Sequence, residues 1–163
     1  MCYERTLSMT KWSHWIFAGL MVVALLTTSQ SAMADPKNEI TYRRAIMKAL
    51  GGHMSALGTI LSGRVKRGKG SAIFHARAIG SIGKLSHTLF AKGTGKGRTR
   101  ARPAIWSKQN QFKKAIAAFK RASAKLAGVA GKGNFKTTRA AHKAVTKTCG
   151  GCHKPFRQPR RKK

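Results

Sequence analysis

Asn134 to His153, NFKTTRAAHKAVTKTCGGCH, decides how this chain is read. Phe135, Thr138, Ala141, His142, Val145, Cys149, Cys152 and His153 recur at helical spacing, which lays them along the inner side of one helix. The helix closes on Cys149-Gly150-Gly151-Cys152-His153. Cys-x-x-Cys-His is the spacing of covalent haem attachment: two thiols add across the haem vinyl groups, and the adjacent imidazole is delivered to the iron. On a helix, positions 149, 152 and 153 share a face, as this chemistry requires. The plainer readings are a redox dithiol or half of a zinc site. A thioredoxin-like dithiol needs a βαβ context and a zinc site needs further ligands, but the only other cysteine is Cys2.

The N-terminus supports the same reading independently. Arg5 and Lys11 precede the apolar run Ile16 to Leu26, and Ala32-Met33-Ala34 stands before Asp35. That is the order of a secretory signal peptide, with 1–34 removed. The apolar run is shorter than the roughly 20 residues a spanning helix needs. Starting at Met9 would give a more ordinary basic region, without Glu4. Cleavage would remove Cys2 and leave both remaining cysteines in the motif, and a periplasmic location follows.

Residues 35–163 make one domain's worth of chain. The charge is unusual: 34 Lys and Arg face three acidic residues, for a net +31, and beyond the leader only Asp35 and Glu39 carry carboxylates. Such a balance points first to nucleic acid. An exported haem protein does not meet nucleic acid, however, and no nucleic-acid-binding motif is present. The expected partners are an acidic redox protein or an anionic membrane surface, with no specific nucleic acid. The scarcity of carboxylates also removes the usual source of acid instability, which would suit an acidic periplasm.

Periodicity predicts four helices and no strands. The first runs from Glu39 to about Leu61, with Ile40, Met47, Leu50, Met54, Leu57 and Leu61 inward. The second runs from Ser71 to about Ala91, with Leu85 and Leu89 inward and Gly80 and Gly83 weakening it. The third runs from Ser107, a candidate cap, to about Ala130, and the fourth from Asn134. Glycine-rich basic connections separate them. Four amphipathic helices joined by loops are expected to form an all-α four-helix bundle over residues 35–163.

Three stretches resemble the class II cytochromes c, the cytochrome c′ and cytochrome c-556 family: Tyr42 to Met47, Thr99 to Trp106, and Thr148 through Arg157. The resemblance implies an up-down-up-down antiparallel topology for the bundle and one covalent haem c, with Cys149 and Cys152 on the vinyls and His153 as proximal iron ligand. Arg43 matches a first-helix arginine near a haem propionate, and Arg157 matches the basic residue four positions after the proximal histidine. Met47, four after Arg43, falls at the position facing the distal side of the iron. Its thioether is expected to ligate, which makes the haem low-spin and c-556-like, a one-electron carrier with His153 and Met47 as axial ligands. If Met47 only packs, the haem is five-coordinate and cytochrome c′-like, and binds nitric oxide or other diatomic gases. No catalytic acid–base pair is present, so no enzyme is expected. The resemblance also brings a homodimer formed through the first two helices. Pro155 departs from the family pattern and is expected to kink or end the last helix early.

Overall fold

The computed structural model describes residues 35–159; the expected leader, residues 1–34, lies outside them, as do residues 160–163. Helix α1 (Pro36–Leu61) starts where the Asp35 carboxylate accepts the Lys37 N–H at 2.9 Å. Pro36 opens the helix where no N–H is needed, and Glu39 complements the positive end of the dipole. Ser62 closes the helix, and Gly63, at φ 78°, reverses the chain.

Helix α2 (Lys69–Leu85) ends six residues before the expected Ala91. Ser86 ends it, its hydroxyl and its N–H both bonding the Gly83 carbonyl, at 2.8 and 3.4 Å. Leu85, expected inward, is 43 % exposed, whereas Leu89 in the following turn is buried. Gly80 and Gly83 are where α2 meets α4. A Cβ at Gly83 would lie 2.0 Å from the Ser123 Oγ, and one at Gly80 would lie 3.0 Å from the Ala127 Cβ. The glycines that weaken the helix in isolation thus permit its closest packing.

The short α3 (Ala104–Ser107) precedes α4 (Gln109–Gly131). Ser107 does not cap the third long helix. It ends α3, with its hydroxyl on the Pro103 carbonyl at 3.4 Å, and Lys108 stands at the α4 cap position with no side-chain bond. Helix α5 (Phe135–Phe156) opens with the Asn134 side chain accepting the Thr137 N–H at 3.1 Å. It runs one residue past Pro155, and the Arg157 N–H then closes it on the His153 carbonyl at 3.0 Å. So close to the C-terminus, the missing proline N–H forfeits a single helical bond.

Helix α1 packs on α2 and α5, and α4 packs on α2 and α5, so α1 and α4 are diagonal. Gly80 meets Ala127 while Gly83 meets Ser123, and Phe112 at the start of α4 meets Phe156 at the end of α5, so these neighbours run antiparallel. His142 bonds the Met54 carbonyl and Arg139 bonds the Leu61 carbonyl, which sets α5 antiparallel to α1. The expected up-down-up-down bundle is the observed one. Leu57, Ile79, Leu126 and Val145, one from each long helix, are wholly buried at its centre. Among the described residues no helix is long and apolar enough to cross a membrane.

Candidate haem site

The last turns of α5 lie between two apolar clusters. Cys149 packs against the aliphatic core, whose fringe also includes Met47 and Met54. Cys152 packs against a second cluster of Ile105, Phe112, Ile116 and Phe156. The Phe112 ring stands edge-on to Phe90 at 4.9 Å and to Phe156 at 5.1 Å, the arrangement aromatic quadrupoles favour. The two cysteines, one helical turn apart, straddle the seam between the clusters.

Both thiols are free and partly buried. Burial raises the pKa of Cys149, and burial together with the neighbouring Cys149 pushes Cys152 up to about 11. Redox dithiols have a lowered thiol pKa, and these two have the reverse. No group of three or more His, Cys, Asp or Glu among the described residues could hold a bare metal ion. Two neutral thiols at Cys-x-x-Cys spacing with an adjacent imidazole do fit a covalently attached haem.

His153 projects at the exposed rim of this seam. The protein packed around it, then the cations of Arg157 and Arg100, hold its pKa below the ordinary value, so the neutral form that can ligate a metal is favoured. The Arg157 Nη1 lies 3.3 Å from the His153 Nδ1. A guanidinium can only donate, so Nδ1 accepts in this arrangement. Ligation through Nε2 needs the other tautomer, with the proton on Nδ1, and Arg157 then has to let go.

Arg157 itself is held by backbone. Ala101 and Arg157 form an antiparallel bridge, the Arg102 N–H donates to the Phe156 carbonyl at 3.0 Å, and the Gln158 N–H donates to the Arg100 carbonyl at 2.8 Å. The Arg100 Nε donates to the Gln158 carbonyl, also at 2.8 Å. The loop before α3 thereby fixes the end of the motif helix.

Arg43 is 4 % exposed and anchors the preceding stretch of the same loop. Its guanidinium donates to the Leu89 carbonyl at 3.3 Å, the Thr94 hydroxyl at 2.8 Å, the Thr94 carbonyl at 2.9 Å and the Thr99 hydroxyl at 2.8 Å. The Phe90 ring lies 5.1 Å away, within cation–π range. Burial lowers the pKa of this group and Glu39 opposes the shift, yet an arginine stays charged. Sequence reasoning singled out Arg43 and missed Thr94, Thr99 and Phe90. Nothing in a basic loop marks which threonine will meet a helix 51 residues away in sequence.

The other histidines among the described residues have ordinary partners. The His142 Nε2 donates to the Met54 carbonyl at 3.0 Å, and Gly58 makes room for the ring. The Nδ1 atoms of His53 and His75 lie 2.9 Å apart between α1 and α2, and the His87 Nδ1 donates to the Lys84 carbonyl.

The sequence profile of the family Cytochrome C′ matches residues 38–157. The chain is 35 % identical over 126 residues to cytochrome c′ of Pararhodospirillum photometricum, covering 77 % of this chain and all of that one. The crystal structure of cytochrome c′ from Rubrivivax gelatinosus superposes with a TM-score of 0.73 at 29 % identity, covering 77 % of this chain and 98 % of the other. The nitric oxide complex of a leucine-to-alanine variant of cytochrome c prime from Alcaligenes xylosoxidans gives 0.73 at 26 % identity, covering 78 % and 99 %. A bundle of this topology, a C-terminal Cys149-to-His153 motif and a match across nearly all the described residues lead to one conclusion: this chain belongs to the cytochrome c′ family and is a haem c protein.

Proposed function

We propose that the chain is exported through removal of residues 1–34 and acts in the periplasm as a five-coordinate haem c protein that binds nitric oxide or another diatomic gas. Cys149 and Cys152 form the thioethers and His153 is the proximal ligand. Bound haem supplies an open coordination position and a one-electron couple; the chain supplies the enclosure. The reading rests on Met47. It sits one turn after Arg43, partly buried and packed against the aliphatic core that Cys149 also touches. A thioether so placed serves as packing, as most buried methionines do. The likeness to cytochromes c′, one of them solved with nitric oxide, supports this over the low-spin reading with His153 and Met47 as axial ligands.

The low-spin alternative keeps one observation in its favour, that Met47 and Cys149 pack against the same aliphatic cluster. Absorption spectra of the ferrous protein before and after nitric oxide or carbon monoxide separate the two. A high-spin ferrous spectrum, immediate gas uptake, and little change in Met47→Ala are expected. A low-spin spectrum that becomes high-spin and gas-binding only in Met47→Ala makes Met47 a ligand and the protein an electron carrier. In the same preparation acid–acetone should leave the haem on the polypeptide, and should extract it from a Cys149→Ala/Cys152→Ala variant.

A further inference from the structure

The two halves of the bundle surface differ in kind. The exposed large hydrophobic residues of the described chain, Tyr42, Val65, Phe74 and Leu85, all lie on α1, α2 or the loop between them. Helices α4 and α5 expose none, and neither contains an acidic residue. Their cations are also ordered. On α4 and its cap, Lys114, Arg121, Lys125 and Lys132 follow the spacing i, i+7, i+11, i+18, and on α5 Lys136, Lys143, Lys147 and Lys154 repeat it. At 100° per residue these intervals return to within about 20° of one line, so each set is a straight row about 27 Å long. All eight residues are exposed, on the side of their helix away from the buried stripe. A three-residue turn joins the helices, so Lys132 and Lys136 link the rows into a hairpin of charge.

We propose that this outer face of α4 and α5 docks on an anionic phospholipid surface. The two neighbouring helices carry these rows along the two outer edges of one side of the bundle, and a plane of headgroup phosphates can meet both. The face has no apolar side chain to insert and no aromatic platform on which single-stranded bases could stack. Attachment is therefore electrostatic and salt-sensitive, with each lysine near the surface contributing roughly fivefold. Lys154 adjoins His153, so docking along the α5 row brings the haem-bearing end of the bundle to the membrane. The proposal goes beyond gas binding and relies only on the export reading for its setting.

The test is co-sedimentation of the haem-loaded protein with vesicles of phosphatidylglycerol and phosphatidylcholine, against pure phosphatidylcholine, at low and at physiological ionic strength. Lys136→Gln/Lys143→Gln/Lys147→Gln is compared with Lys48→Gln/Arg77→Gln/Lys84→Gln, which removes the same charge from α1 and α2. The α5 variant should lose roughly a hundredfold in affinity for anionic vesicles and the α1–α2 variant only a few-fold, with unchanged haem spectra in both. Equal losses mean that net charge alone binds and overturn the assigned face. Absence of vesicle binding by the unaltered protein, or tighter binding to duplex DNA at the same salt, overturns the membrane as partner. Gas uptake by the same samples reads the haem assignment separately.

Discussion

The middle of the bundle and the end that carries the Cys149-to-His153 motif are held by different physics. The middle is aliphatic: Leu57, Ile79, Leu126 and Val145 meet with no exposed surface, and Gly80 and Gly83 let α2 close onto α4. Its stability scales with apolar area removed from water. The motif-bearing end is aromatic and hydrogen-bonded: Phe90, Phe112 and Phe156 stand edge to face, Arg43 makes four hydrogen bonds to residues 89–99, and residues 100–102 pair with 156–158. The middle depends on shape and apolar volume, whereas the end depends on particular donors and acceptors. The contrast shows how a chain with so few carboxylates keeps its site ordered, since arginine here pairs with carbonyls and hydroxyls.

The most damaging test of that contrast is Leu126→Ala in the middle. Removing a fully buried leucine should cost about 2–5 kcal/mol, read as a lowered denaturation midpoint for the whole molecule. At the other end, Arg43→Ala should cost about 2 kcal/mol, because it strands the Leu89 and Thr94 carbonyls. That loss should be local: hydrogen exchange should accelerate across residues 89–101 while the amides of α4 near Leu126 keep their protection. Equal acceleration in both regions would mean that the end is not a separate unit, and the contrast would fail.

The smallest expected effect is one of pH. Burial, then the neighbouring His53, holds the pKa of His75 below its ordinary value of 6.5, so protonation favours the unfolded chain. Its stabilising contribution is complete above pH 6.5 and is lost as pH falls through the lowered folded value. His75→Gln should flatten the stability profile slightly below pH 6.5, measured by denaturant midpoint. An undiminished slope in that variant would place the acid response elsewhere.

The bundle was legible because each long helix carries an apolar stripe of period 3.6; the caps came from the structure, where Asp35 caps α1, which starts three residues before the expected Glu39, and Asn134 caps α5. Where reading by period failed, a local tertiary contact had won. Ser86 ended α2 early and turned Leu89, not Leu85, into the core, and Pro103 opened a separate helical turn that absorbed Ser107. Gly83 looked like a defect because its partner, Ser123, lies on another helix.

By itself the sequence determined the four long helices, their order, the Cys149-to-His153 spacing that reads as a haem-attachment motif, and the basic charge, because periodicity, ligand spacing and composition are local properties of the chain. Only the tertiary structure decided that Arg43 secures the loop from Leu89 to Thr99, that Cys149 and Cys152 lie between an aliphatic and an aromatic cluster, and that the ordered cations belong to the side of the bundle without exposed hydrophobics. Those outcomes depend on residues far apart in sequence meeting in space, and no local pattern records which of several equivalent threonines, phenylalanines or lysines will meet.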